Sequence, residues 1–168
     1  SFPKNDEFLR QIKRQNLYAF NRRTYWLRRF ENFNRKELIN VQNLTIEHIM
    51  PQNEMLSEEW KADLGEDWQR IHEEYLHTLG NLTLTAYNSE YSNYSFNKKR
   101  DMENGFSHSP LKLNDWLGNC DVWNESKIKE RANRLAKKAR EIWKAPSLEE
   151  EVLEDYKDSK ASSDTIYS

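Results

Sequence analysis

Two short stretches of alternating apolar and polar residues limit what this chain can fold into. They are residues 43–49 (NLTIEHI), which Pro51 stops, and residues 82–86 (LTLTA). Alternation with a period of two, together with β-branched Thr and Ile, predicts strands. Elsewhere the apolar residues recur mainly at three- and four-residue steps, which predicts helices. The sequence therefore predicts an α+β fold that is mostly helical and has two short strands.

The helical pattern divides the rest of the chain into segments. Residues 57–79 are predicted to be helical with a break at Gly65, and Gly80 then suits a helix C-cap, where a positive φ is wanted. Residues 106–125 contain Pro110 among scattered apolar residues and are predicted to be a loop. The predicted organisation is a helical N-terminal segment (1–40), a core (41–125) containing the helical insert 57–79, a C-terminal packing helix (126–146) and an acidic, flexible tail (147–168).

The scarcity of Gly and Cys excludes several kinds of site. The four glycines are too scattered for a phosphate-binding loop, and the single Cys120 excludes a disulfide scaffold and a C-x-x-C zinc site. A lone cysteine also fits a reducing compartment, so we expect a cytoplasmic protein. No apolar run approaches the roughly 20 residues that a membrane span needs, so we expect no membrane partner.

The charges are segregated along the chain although the formal net charge is only −2. Residues 1–40 hold ten Lys and Arg against four acids, and residues 127–144 hold eight against two. Residues 45–80 instead hold nine acids against two bases. The two basic segments could form one positive face for a polyanion, or they could be ordinary solvated helix faces. A duplex-binding face would include some of Arg22, Arg23, Arg28, Arg29, Lys137, Lys138 and Arg140.

Polar residues at the ends of the two predicted strands indicate hydrolytic chemistry. Residues 45–52 (TIEHIMPQ) carry an acid and a histidine, and residues 79–99 run from the second strand into a helix. A strand–strand–helix unit can bring such a histidine together with amide side chains from the turn and the helix. Hydrolysis of a phosphodiester needs a neutral imidazole that takes a proton from water, and a divalent cation held by oxygen ligands.

Three sequence blocks, in this order, resemble the HNH (ββα-metal, His-Me finger) nucleases of the GmrSD C-terminal-domain type. The blocks are Ile-Glu-His-Ile-Met-Pro-Gln at 46–52, Leu-Gly-Asn-Leu-Thr-Leu at 79–84 and Ser-Asn-Tyr-Ser-Phe-Asn-Lys-Lys at 92–99. Similar flanks extend the resemblance over most of residues 20–144. The resemblance implies a ββα-metal (HNH) finger embedded among flanking helices.

The resemblance also implies a catalytic group of three residues. His48 corresponds to the general base that activates water, and Glu47 corresponds to a metal ligand. Asn93 corresponds to the asparagine at the helix start that completes the metal site, and Asn88 is the rival for that position. The implied metal ion is Mg²⁺ or Mn²⁺. Adjacent strand residues point to opposite faces, so Glu47 and His48 can serve one site only at a bulge or a strand end.

Further residues are implied to bind substrate or to support the site. Asn81 corresponds to the asparagine that pins the loop bearing the histidine. Lys98, Lys99 and Arg100 follow on the predicted helix and could hold substrate phosphates. His77 stands just before the second block and could also touch a phosphate.

The function implied by the resemblance is that of a metal-dependent DNA endonuclease, which hydrolyses phosphodiesters in double-stranded DNA. Such domains belong to modification-dependent (type IV-like) restriction systems that act in phage defence. They work with an NTPase or DNA-sensing domain in the same chain or complex, so we expect this chain to be the C-terminal part of a larger protein. The alternative is an HNH-like module that binds DNA or docks on a protein without cleavage.

Overall fold

The computed structural model describes residues 5–19, 23–40, 43–88 and 93–142. These residues form seven α-helices, three short 3₁₀ turns and one two-stranded sheet, which confirms the predicted mostly helical α+β class. The α-helices are α1 (Asn5–Arg14), α2 (Arg23–Asn32), α3 (Glu58–Leu64), α4 (Trp68–Tyr75), α5 (Phe96–Asp101), α6 (Lys112–Gly118) and α7 (Glu125–Ile142). The strands are β1 (Thr45–His48) and β2 (Leu82–Thr85), and the 3₁₀ turns are Leu17–Ala19, Leu79–Asn81 and Phe106–His108.

The two strands lie inside the stretches that alternation predicts. They pair antiparallel, with Thr45 opposite Thr85 and His48 opposite Leu82. All four residues of β2 are buried, and the strand packs against α2 and α6. His48 is the last residue of β1, so its side chain stands where the chain leaves the sheet.

Two glycines serve the helices for different reasons. Gly65 follows α3 with φ +88°, and its N–H donates to the Lys61 carbonyl, so it forms the predicted break before α4. Gly80 is not the positive-φ helix cap that its position predicts, because it lies inside the 3₁₀ turn Leu79–Asn81. A Cβ at Gly80 would overlap the carbonyl oxygen of Ile128 in α7. Its missing side chain therefore lets α7 approach this turn closely.

The stretch 106–125 is not the loop that the sequence predicts. It contains a 3₁₀ turn and α6, and the carboxylate of Glu31 in α2 caps the start of α6. This fully buried carboxylate accepts hydrogen bonds from the backbone N–H groups of Lys112 at 2.8 Å and Leu113 at 2.9 Å. A cap that comes from 81 residues away leaves no signal in the local sequence.

The buried apolar side chains form two clusters that α7 joins. The first includes Leu27 and Leu82 and lies between α1, α2, β2 and α6. The second surrounds Trp60 and Trp123. Ile128 in the first turn of α7 belongs to the second cluster, whereas the later turns of the helix belong to the first. The strand β2 and the 3₁₀ turn that precedes it are therefore held against a single long helix.

A buried arginine in α7 strengthens this attachment. The Arg131 guanidinium donates through Nη1 to the carbonyl oxygens of Leu79 at 3.3 Å, Gly80 at 3.1 Å and Leu82 at 2.6 Å. Its Nη2 donates to the Leu113 carbonyl at 3.3 Å. One side chain thus binds the turn before β2, the strand itself and α6.

Two further predictions concern the membrane and the end of the chain. Within the described ranges, no helix is both long enough and apolar enough to cross a membrane. The predicted packing helix 126–146 corresponds to α7, whose described part ends at Ile142. The segment predicted to be a tail, 147–168, lies outside the described residues.

Candidate active site

The last two residues of β1 present their side chains to different neighbours. Glu47 reaches Lys99 of α5, whereas His48 reaches His77 and Tyr18. Both side chains are nearly buried, at 4% exposure for Glu47 and 5% for His48. The alternation of a strand therefore separates the carboxylate from the imidazole, although the two residues are adjacent in sequence.

His48 lies in a cluster of three rings with His77 and Tyr18. His48 Nε2 and His77 Nδ1 are 3.0 Å apart, a hydrogen bond in which one ring donates and the other accepts. The Tyr18 ring stacks on His77 with centroids 5.3 Å apart and meets His48 edge-on at 4.8 Å. The His77 carbonyl accepts a hydrogen bond from the Leu17 N–H at 3.0 Å, which binds the segment after α1 to this cluster.

The protonation state of His77 determines whether His77 can accept a hydrogen bond from His48. Partial burial lowers the pKa of His77, and the nearby His72 lowers it further, so the neutral ring prevails at neutral pH. A neutral His77 can accept the Nε2–H of His48. In that tautomer the lone pair of His48 is on Nδ1, and a general base needs such a lone pair. His72 has a different role, because its Nε2 donates to the Pro51 carbonyl at 2.9 Å.

Asn81 fixes the backbone that follows His48. Its fully buried side-chain oxygen accepts hydrogen bonds from the Met50 N–H at 2.8 Å and from Trp123 Nε1 at 3.1 Å. Its side-chain nitrogen donates to the carbonyls of Met50 at 3.0 Å and Leu76 at 2.9 Å. All four hydrogen-bonding positions of the amide are used, so the Asn81 side chain holds the backbone of Met50 in place.

The sequence predicts that Lys99 could hold a substrate phosphate, but the structure places it inside the protein, where a phosphate would not reach it. Its ammonium is completely buried and donates to Glu47 Oε1 at 2.7 Å and to the carbonyls of His48 and Ile49, each at 3.0 Å. Burial lowers the pKa of Lys99 and raises the pKa of Glu47, and the attraction between the two charges opposes both shifts. Lys99 therefore ties the end of β1 to α5.

The neighbours of Lys99 on α5 differ in their availability to a ligand. Lys98 is exposed, and its ammonium lies 3.6 Å from the centroid of the Tyr94 ring. Arg100 binds both carboxylate oxygens of Asp101 and donates to the Cys120 carbonyl at 2.8 Å. The hydrogen bonds that Arg100 donates to the Asp101 carboxylate raise the pKa of Arg100. Of these three cationic residues, Lys98 is the exposed one.

The two candidate asparagines lie on either side of residues 89–92, which are outside the described ranges. Asn93 is exposed and stands two residues before Ser95, whose hydroxyl caps α5. Asn88 donates from its side chain to Thr45 Oγ1 at 3.0 Å and to the Ile46 carbonyl at 2.5 Å. These contacts of Asn88 are at the start of β1 and not at the end that carries His48.

The arrangement around Glu47 does not fit a bound divalent cation. The Lys99 ammonium already neutralises the carboxylate at 2.7 Å and would repel a second cation there. In the part of the chain that the structure describes, no group of three or more His, Cys, Asp or Glu side chains could hold a metal ion. Glu47 thus offers no preformed site for Mg²⁺ or Mn²⁺ while Lys99 binds it.

Comparison with known proteins yields one family. A family model described as GmrSD restriction endonucleases, C-terminal domain, matches residues 2–138, a range that includes every candidate site residue. No curated protein and no solved structure matches the chain.

Proposed function

This chain belongs to the family of GmrSD restriction endonuclease C-terminal domains, and from this premise we propose that it cleaves double-stranded DNA by hydrolysis with His48 as the general base. The observation that carries the proposal is the hydrogen bond of 3.0 Å between His48 Nε2 and His77 Nδ1 at the end of β1. It gives one imidazole a fixed orientation and a neutral partner, and both help a base to act on water.

In the proposed reaction, His48 takes a proton from the water whose oxygen bonds to the phosphorus atom. The bond from phosphorus to the 3′ oxygen breaks, and the leaving 3′ oxygen takes a proton from solvent, which gives 3′-hydroxyl and 5′-phosphate ends. The resulting imidazolium carries N–H bonds on both nitrogens, and its Nε2–H then donates to the neutral His77 ring. A hydrogen bond from a charged donor is stronger than one between neutral groups, so His77 favours the protonated form of His48. Asn81 and Lys99 hold the backbone of this strand end in place, and the exposed Lys98 is the candidate for a substrate phosphate.

A requirement for Mg²⁺ or Mn²⁺ is part of the proposal because of the family and not because of the geometry. Glu47, with Asn93 or Asn88, is the ligand set that the family resemblance implies, and Glu47 could join it only after its ion pair with Lys99 breaks. The ion would stabilise negative charge on the phosphate when bound. No step assigned to His48 or His77 depends on where the ion binds.

The biological setting is proposed on the family relationship alone. It is modification-dependent (type IV-like) restriction in phage defence, with an NTPase or DNA-sensing domain in the same chain or complex. The reaction proposed for His48 is independent of that partner.

The experiment is a plasmid-nicking assay with Mg²⁺ or Mn²⁺. We expect His48→Ala to keep the fold and to lose about 10²- to 10⁴-fold in rate, because it removes a general base. His108→Ala is the matched control, since His108 is exposed and lies in the 3₁₀ turn Phe106–His108. A folded His48→Ala protein that nicks at the wild-type rate would refute the assignment.

One observation favours the alternative of a DNA-binding module without cleavage activity. The Glu47 carboxylate is paired with Lys99, and an enzyme that needs this carboxylate for a metal ion must first break that pair. The same assay separates the two functions, because a binding module retards DNA on a gel but leaves a supercoiled plasmid intact in both metals.

A further inference from the structure

A groove of about 600 Å³ lies between α1 and α7. The two helices pack against each other, and the residue after His77 reaches into the same groove. Its charged and polar lining includes Arg10, Lys13, Arg14, Glu74, Thr78 and Lys129. We call it the α1–α7 groove.

The charges in the α1–α7 groove favour an anionic ligand. Four cationic side chains line it against a single carboxylate, that of Glu74. This carboxylate is already bound by Arg70, whose Nη1 lies 3.1 Å from Glu74 Oε2. Lys129 lies 3.6 Å from Glu125, so the three cations of α1 contribute most of the positive charge in the groove.

The positive surface continues along α7 beyond this groove. A second depression of about 560 Å³ shares Asn133 with it and is lined also by Arg134 and Lys137. Its one carboxylate, Glu130, lies 3.6 Å from Arg134. Together the two depressions form a cationic path along α7, as a chain of phosphates would require and a single small anion would not.

Two segments that line the α1–α7 groove are close in sequence to residues that contact the candidate base. Thr78 in its lining is bonded in sequence to His77, which contacts His48 at 3.0 Å. The chain that leaves Arg14 reaches Leu17 and Tyr18, and the N–H groups of both point to the His77 carbonyl, at 3.0 and 3.4 Å. Three residues of chain thus separate Arg14 of α1 from Tyr18 of the ring cluster around His48.

We propose that the α1–α7 groove holds the phosphate backbone of the DNA strand that leads to His48. The inference rests on the proposed function, because it takes DNA to be the substrate. It differs from the surface that the sequence suggests. Lys138 is half-buried on the flank of α7 where the charge of Glu31 acts, and that flank does not line the groove. In the proposed surface, the cations of α1 take the place of Lys138.

The test is a fluorescence-anisotropy titration of the 168-residue chain with a labelled duplex of about 20 base pairs, between about 50 and 200 mM salt. All proteins carry His48→Ala so that the duplex stays intact. Lys13→Glu with Arg14→Glu reverses two cations of the groove. Lys36→Glu with Lys112→Glu is the matched control, because both residues are exposed, lie outside the groove and give the same change in net charge.

We expect the groove variant to lose at least about tenfold in affinity, and its plot of log affinity against log salt to flatten by about two units, close to 0.9 per lost phosphate contact. The control should keep the original slope. Equal slopes and affinities for the two double variants would overturn the inference. If the groove variant does not fold, as circular dichroism would show, Lys13→Gln with Lys129→Gln provides the same comparison without introducing negative charge.

The outcome is separable from that of the proposed function. Binding is measured on a protein that lacks His48, so it does not depend on cleavage. If the wild-type chain never nicks plasmid but the groove variant still binds DNA more weakly than the control, the proposed function is refuted and the groove proposal stands. If the wild-type chain nicks plasmid and the groove variant binds DNA as tightly as the control, only the groove proposal is refuted.

Discussion

Replacing Lys99 by Met should destabilise the protein more than any other single change at a charged residue of α5. The variant removes an ammonium that is 0% exposed and leaves the Glu47 carboxylate buried without its partner. Breaking a buried ion pair in this way costs about 3–5 kcal/mol. The free energy of unfolding of a domain is about 5–15 kcal/mol, so Lys99→Met removes a large part of it. The melting temperature should fall by about 6–20 °C, at about 2–4 °C per kcal/mol.

The pH dependence of this loss has a definite sign. Without Lys99, nothing opposes the effect of burial on Glu47, so the pKa of Glu47 in the folded variant rises further above its unfolded value of about 4.3. A raised folded pKa gives stability that is present below the unfolded pKa and is lost as the pH rises through the folded pKa. The destabilisation should therefore be larger at about pH 8 than at about pH 5.

Urea denaturation followed by tryptophan fluorescence measures both effects, since the chain holds six tryptophans. Lys98→Met is the control and should cost less than about 1 kcal/mol, because Lys98 is exposed and loses only its contact with Tyr94. Lys99→Met with Glu47→Met should recover part of the loss, because no charge then stays buried. A loss equal to that of Lys98→Met, or one that is independent of pH, would refute the ion-pair argument.

Four other outcomes are expected. Asn81→Ala should cost about 2–4 kcal/mol in a thermal melt, because it leaves the N–H and C=O of Met50 unpaired. Gly80→Ala should lower the melting temperature more than Gly65→Ala, since only the first meets the Ile128 backbone. His77→Ala should slow nicking by about tenfold and move the acid limb of its pH–rate profile to lower pH, because His48 loses the partner that favours its protonated form. Excess EDTA should abolish nicking, and zinc should not restore it.

The fold could be predicted where its cause is local in sequence. Alternation located both strands, and Gly65 marked the break between α3 and α4 because it adopts a positive φ that few other residues tolerate. The prediction was wrong for α6, whose cap comes from Glu31 across the molecule. It was also wrong for Gly80, which is explained by the approach of α7 and not by its own dihedral angles. Both errors arise from packing between distant segments.

The residues of the candidate site could be proposed from the sequence, but most of their contacts could not. The order of the three blocks pointed to the end of β1, and the structure brings His48 together with His77 there. The sequence does contain an indication that Lys99 is buried. Lys99 follows the apolar Phe96 by three residues, which places both on the same face of α5. Nothing in the sequence pattern indicates that Tyr18 contacts both histidines, since that contact depends on how the segment after α1 docks.

Arg131 has a consequence for the order in which the protein acquires its structure during synthesis. The ribosome makes β1, the 3₁₀ turn and β2 well before α7, and the guanidinium bonds the Leu79, Gly80 and Leu82 carbonyls across 49 to 52 residues. A nascent chain that ends before residue 131 therefore has the strand pair without the donors that hold it in place. The His48 end of β1 gains its final support only when α7 has left the ribosome, so chains that end before residue 131 should not hold this strand end in its final position.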